Sequence, residues 1–151
     1  MRKLLVGLVC AAAMAVPSVS PAQQQEGWSY AYVQGIATAT LHDNRGRVSA
    51  TLTCAPPTGD IIVTDYTLAR NARGASQASV RIGAMAVNVP MTLAGRGRNR
   101  TVVINLPQRP PILAAVQPND RLSVTVNNQT VTYPEGGPAR MREVAYACWG
   151  S

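Results

Sequence analysis

Two cysteines, Cys54 and Cys148, set the strongest limit on how this chain folds, because the third, Cys10, lies in a segment expected to be removed. The chain opens with Arg2 and Lys3, runs apolar from Leu4 to Val16 and breaks at Pro17. Ser20 and Ala22 then place small residues at the −3 and −1 positions of a cleavage site, completing the three parts of a secretory signal peptide. The apolar run is too short to span a bilayer. Val9, before Cys10, stands where a lipoprotein signal wants Gly or Ala. Residues 1–22 are therefore expected to leave as a signal peptide, cut between Ala22 and Gln23. Residues 23–151 are expected to form one exported domain, periplasmic or secreted, with no transmembrane span in the mature chain. In an oxidising compartment an even pair of cysteines bonds by default, so a Cys54–Cys148 disulfide is expected. Closing a loop of roughly 100 residues stabilises by up to roughly 4.7 kcal/mol in the chain-entropy model. A domain this small benefits from such a staple.

The two half-cystines sit in segments of different period. Val48, Ala50, Leu52 and Cys54 alternate with Ser49, Thr51 and Thr53, which is the period of a half-buried strand. Leu122, Val124 and Val126 alternate likewise, Asn127-Asn128 supplies a hairpin turn, and Val131 and Tyr133 line the return strand before Pro134 stops it. From Pro138 the spacing changes: Met141, Val144, Ala145 and Cys148 share one helix face, with Pro138 suited to the first turn and Gly150 to the stop. A final strand over the apolar run Val144–Trp149 is the rival reading.

Between these landmarks the chain reads as short strands with turn signals about every dozen residues. Trp28, Tyr30 and Tyr32 alternate on one strand, Gly35 bends or breaks the segment before Ile36–Leu41, and His42–Gly46 is a turn. Ile61–Leu68 follows a turn at Pro56, Pro57 and Gly59; then come Val80 and Ile82, a bulge or hairpin at Gly83, the row Met85, Val87, Val89 and Met91, and a strand at Val102, Ile104 and Leu106. Pro110–Val116 is a candidate helix of one to two turns closed by Pro118. No βαβ alternation occurs. The expected fold is all-β and mainly antiparallel: a small β-sandwich or partly closed barrel with one or two short helices, the last at the C-terminus.

Chemistry is sparse. The one histidine, His42, adjoins Asp43, but neighbours in a strand point to opposite faces; a hydrolase would need this turn to face a cleft containing a serine. No serine stands in a nucleophile elbow, no second histidine offers a zinc site, and no metal, nucleotide or flavin motif is present, so no cofactor is expected. Every basic residue after Lys3 is arginine, and the full chain carries a formal charge of +7. Such a balance favours anionic partners. Arg96, Arg98 and Arg100 alternate with Gly97 and Asn99; in an extended loop they present three guanidinium groups on one side, each able to grip a phosphate, sulfate or carboxylate in two-pronged fashion. The alternative is a solvated loop that blunts a sheet edge. Arg70 and Arg73 join the cluster if their loop lies at the same end. Trp28, Tyr30 and Tyr32 are expected to pack a core face, with a sugar-stacking platform as the alternative. Export separates the protein from nucleic acid, and no base-stacking motif accompanies the arginines.

The C-terminal stretch, Leu122 to Tyr133, Gly137 and the helix to Cys148, resembles the close of small bacterial periplasmic proteins of the invasion-associated locus B-like kind. In them a strand pair leads through a glycine to a short helix ending on a half-cystine. The resemblance covers about a fifth of the chain. It implies an exported protein of the cell envelope linked to host-cell interaction, and it carries over no functional residue. Residues and resemblance together predict a binding protein rather than an enzyme, its partner an envelope protein or an anionic glycan or lipid. An inhibitor-like module acting on a periplasmic or exogenous enzyme is the runner-up.

Overall fold

The alternation of the apolar stretches becomes strands, and among the described residues nine of them join into one antiparallel sheet. The structure, a computed structural model, describes residues 27–54, 59–114 and 116–149. The expected signal peptide, the polar leader 23–26, the turn at Pro56-Pro57 and the helix stop at Gly150 lie outside the described residues. The strands are β1 (Gly27–Val33), β2 (Ile36–His42), β3 (Val48–Cys54), β4 (Ile61–Asp65), β5 (Gln77–Ile82), β6 (Met85–Ala94), β7 (Thr101–Leu106), β8 (Leu122–Val126) and β9 (Gln129–Thr132). Their order across the sheet is β1-β2-β3-β4-β7-β6-β5-β8-β9. Strand β6 makes the bend. Its residues up to Pro90 pair with β5, while Met91–Ala94 pair with β7. A strand that changes partner part-way along must turn between two sheet directions, so the sheet curls into a half-barrel rather than splitting into a sandwich.

The concave face carries the buried alternates: Ala37, Ala39 and Leu41 of β2, Ala50, Leu52 and Cys54 of β3, Ile61 and Val63 of β4, and Val102, Ile104 and Leu106 of β7. Across it lies α1 (Gly137–Trp149), packed chiefly on β2 and β3. The reason is size. Ala37, Ala39 and Ala50 leave room for a helix that a row of Leu or Ile would push away. Met141 and Val144, both 0% exposed, fill that room; burying such side chains stabilises by about 1.5–3 kcal/mol each. Gly137 allows the close start, since a Cβ there would lie 3.2 Å from Cβ of Leu122. At the other end Cys148 meets Cys54 as a disulfide with Cα atoms 5.9 Å apart, and the indole N–H of Trp149 donates to the carbonyl of Gly59.

Three local expectations take a definite form. The break at Gly35 is a turn: Gln34 and Gly35 both take positive φ, 51° and 80°, and form the two-residue connection of a β1–β2 hairpin. The short helix expected within Pro110–Val116 is held to its lower bound: among the described residues Pro111–Leu113 forms a single 3₁₀ turn, which buries Ile112 and Leu113. Pro110 is extended there, and too few residues follow before Pro118 to build more. Val48 is 39% exposed, because a bulge at Leu41/His42 twists the start of β3 out of the core.

Among the described residues the charged side chain with no exposure is Asp65. The carboxylate of Asp65 at the end of β4 accepts hydrogen bonds from the Thr67 N–H (2.7 Å), the Thr67 hydroxyl (2.8 Å), the Leu68 N–H (2.7 Å) and the Tyr133 hydroxyl (2.5 Å). Burial, reinforced by the charge and hydrogen bond of Asp65, pushes the Tyr133 hydroxyl far above its ordinary pKa of 10.0. Because the folded state holds this proton more tightly than the unfolded chain, the stability it contributes is complete below pH 10 and is lost as pH rises beyond it. Thermal melting should therefore fall steeply above that pH. In Tyr133→Phe the alkaline limb should be shallower, with about 1–3 kcal/mol lost at neutral pH because Asp65 loses a partner. The staple makes a separate expectation. Cys148→Ser should lower the unfolding free energy by about 2–5 kcal/mol in denaturant titration; an unchanged midpoint would show that packing alone holds α1.

Candidate functional site

The strand pairing decides which loops meet. Asp65 of β4 stands opposite Val102 of β7, so the chain leaving β4 and the loop entering β7 emerge side by side at one end of the half-barrel. Asp65 shapes the first of these. By accepting the N–H groups of Thr67 and Leu68 it folds the chain into a 3₁₀ turn, Leu68–Arg70, whose Leu68 and Ala69 are buried. Ala72 is buried beyond it, Asn71 Nδ2 donates to Gln129 Oε1 (3.0 Å), and Asn127 Nδ2 donates to the Asn71 carbonyl (2.7 Å). The loop is thus anchored from below and from the side. Arg70 and Arg73 are left on its exposed surface.

The second loop, residues 95–100, is not extended. Gly95 and Gly97 take positive φ, 78° and 59°, and Gly97–Asn99 forms a 3₁₀ turn closed by the Asn99 N–H on the Arg96 carbonyl (3.1 Å). The turn ends the alternation that would set three arginines on one side. Arg98 and Arg100 join Arg70 and Arg73 around a cleft of about 420 Å³, lined also by Tyr66, Thr67, Ala69 and Gly97. Arg96 is exposed and does not line it. No carboxylate lines the cleft, and among the described residues none of its four arginines enters an ion pair. Arg47, Arg121 and Arg140, by contrast, are paired with Asp43, Glu135 and Glu143. Four unpaired guanidinium groups facing one cleft repel one another, and an anion placed among them relieves that repulsion.

The histidine turn lies beside a second cavity, of about 300 Å³, lined by His42, Asp43, Ser49, Thr67 and Tyr133 among others. A serine does face it. Asp43, however, is committed elsewhere: its carboxylate accepts from the Arg45 and Arg47 N–H groups and from the Arg47 guanidinium, bonds that hold its pKa below the usual carboxylate value. The Ser49 hydroxyl donates to the Leu41 carbonyl (3.4 Å). Among the described residues no hydrogen bond orients the His42 ring.

The aromatic row divides. Trp28 packs edge-on against Tyr133 with ring centroids 6.0 Å apart, whereas Tyr30 and Tyr32 stand exposed. Core packing, expected for all three, holds for Trp28 alone, which packs against the core, while Tyr30 and Tyr32 lie exposed on the outermost strand. Among the described residues no three potential ligand side chains cluster as a metal site, and no described helix is long and apolar enough to cross a membrane. The sequence reading missed Asp65. Ile61, Val63 and Asp65 alternate on the buried face, and an acid in that row is the signal that would have found it.

No protein-family model, curated protein or solved structure matches the chain.

The arginine loop depends on Gly95, where a Cβ would run into the carbonyl oxygen of Asn99; at Gly97 an added Cβ meets nothing. Both positions have positive φ, so alanine at either should cost about 1–3 kcal/mol. Gly95→Ala should cost clearly more than Gly97→Ala in parallel denaturant titrations. Equal losses would mean that the contact at Gly95 is relieved by loop movement.

Proposed function

We propose that this is an exported cell-envelope protein whose work is binding, and that it takes an anionic group of an envelope partner in the cleft between Arg70, Arg73, Arg98 and Arg100. One observation carries the reading: four arginines from two loops far apart in sequence line one cleft that no carboxylate enters. Guanidinium groups suit this use because each presents a planar fork of donors to a phosphate, sulfate or carboxylate. The cleft volume is in the range of small-ligand sites, enough for one headgroup or for one charged sugar unit of a glycan chain. Tyr66, 45% exposed at its rim, offers a ring face to the uncharged part of such a group. Export is supported by the leader pattern of residues 1–22 and by the cysteine pair, which suits an oxidising compartment.

The test is a charge-matched comparison. Alanine at Arg70, Arg73, Arg98 and Arg100 together should weaken binding to vesicles containing phosphatidylglycerol, or to a sulfated polysaccharide, at least tenfold. Alanine at Arg45, Arg81, Arg121 and Arg140 removes the same charge elsewhere and should weaken it far less. Exposed substitutions of this kind move stability by no more than about 0.5 kcal/mol each, so melting curves should stay close. Residual binding should fall with added salt, since exposed charges are screened beyond about 8 Å at physiological ionic strength. Equal loss in the two sets would leave only a diffuse charge effect.

A hydrolytic second reading has one observation in its favour, the cavity that His42 and Ser49 share. It requires the Ser49 hydroxyl to leave the Leu41 carbonyl for the imidazole. Labelling of Ser49 by a fluorophosphonate probe, lost in His42→Ala, would support it.

A further inference from the structure

The sheet has two open edges, and they are built differently. At one, β9 is four residues long and is followed by Pro134, which has no N–H to offer. Shortness and proline are ordinary ways of blunting an edge. At the other, β1 runs seven residues, GWSYAYV, without a single Lys, Arg, Asp, Glu or Pro. Its outer side pairs with no strand among the described residues. Tyr30, Tyr32 and Val33 are 37%, 58% and 62% exposed, and Ser29 and Ala31 are exposed as well.

The hairpin gives the direction of every backbone group on this edge. The two-residue turn Gln34-Gly35 closes on the pair Val33–Ile36, which in such a hairpin is hydrogen-bonded. Bonded pairs then alternate without a bulge along β1, so Val33, Ala31 and Ser29 spend their N–H and C=O on β2. Those of Tyr32, Tyr30 and Trp28 point away from the sheet. An outward row of donors and acceptors at strand spacing is complementary to another extended strand.

We propose that β1 is a self-association edge, and that two copies of the chain pair antiparallel along it about a two-fold axis at Ala31. The register follows from exposure: the open stretch is Ser29–Val33, and Ala31 is its centre. This places Tyr30 of each copy opposite Tyr32 of the other. These residues exchange four backbone hydrogen bonds, and two cross-strand tyrosine pairs form on the concave face. A second copy fits better than a foreign strand because the edge is uncharged. Self-pairing opposes no like charges, whereas an acidic peptide attracted to this basic chain would find no cation on β1. Isologous pairing also closes at two copies, consuming the open edge on both.

In this register the two Ala31 residues form a non-hydrogen-bonded pair, with Cα atoms about 4.5 Å apart, within the span of a disulfide. Ser29 of one copy lies about 14 Å along the ladder from Ser29 of the other. The experiment uses protein secreted from cells expressing the full chain. Wild type should sediment as a dimer. Ala31→Arg and Ala31→Glu should each sediment as a folded monomer, since like charges then meet across the axis, and an equimolar mixture of the two should recover the dimer. Under mild oxidation Ala31→Cys should cross-link and Ser29→Cys should not. The proposal is overturned if wild type stays monomeric up to about 100 μM, if folded Ala31→Arg remains dimeric, or if Ser29→Cys links as readily as Ala31→Cys. Should the charged variants fail to fold by circular dichroism, the pair of cysteine variants decides the matter alone.

Discussion

Asp65 is the constraint on which one end of the half-barrel, loop and C-terminal unit together, depends. A carboxylate at 0% exposure is costly unless its hydrogen-bonding capacity is filled. Here four donors fill it, and they come from two places. Three belong to Thr67 and Leu68, the residues that turn the chain out of β4 and lead to Arg70 and Arg73. The fourth is Tyr133, which stands between the last strand and the helix. One buried charge therefore fixes the root of the arginine-bearing loop and the point where the C-terminal unit docks. Tyr133 also gives Trp28 its edge-on partner, so the start of β1 is held by the same arrangement.

The helix across the concave face is held by other means as well. A half-barrel leaves its concave face open, and a single helix covers it only if both helix ends are secured. At the N-terminal end Gly137 sits tight against Leu122 and Trp28; at the C-terminal end Cys148 is bonded to Cys54 and Trp149 to the Gly59 carbonyl. The alanines of β2 and β3 make this possible but contribute little burial themselves. Much of the local core energy comes instead from Met141, Val144 and the large residues of β4 and β7. The covalent link compensates for a shallow interface beneath the helix.

Much of this was legible in the sequence, and the gaps have physical causes. Period-two alternation is a local property, and it gave the strands at Val48–Cys54, Met85–Met91, Val102–Leu106 and Leu122–Val126. The change of period at Pro138 gave α1 and the face that buries Met141, Val144 and Ala145. Strand order is not local, and nothing in β6 says that its halves serve two neighbours. At the cleft, the arginines were visible, and Arg70 and Arg73 as conditional members, but which of the three loop arginines would face them was not. Spacing by two implies a common side only while the backbone stays extended, and Gly95 and Gly97 at positive φ end that condition. Arg98 and Arg100 consequently face Arg70 and Arg73, while Arg96 does not. Tyr30 and Tyr32 carried a core pattern on an edge strand, where the pattern has no second layer to meet.

The two surfaces bear on each other through geometry. The cleft lies at the end of the half-barrel where β4 stops and β7 begins, three strands in from the edge at β1. Pairing through β1 leaves it uncovered. Antiparallel pairing reverses the strand direction across the two-fold axis, so the cleft-bearing end of one copy points opposite to that of the other. Such a dimer does not grip one flat anionic surface with both clefts, and avidity on a single membrane face would be small, since simultaneous engagement requires both sites to reach the same target. It is suited instead to joining two anionic bodies, one at each end. An edge without charge, between two basic ends, is what that arrangement needs.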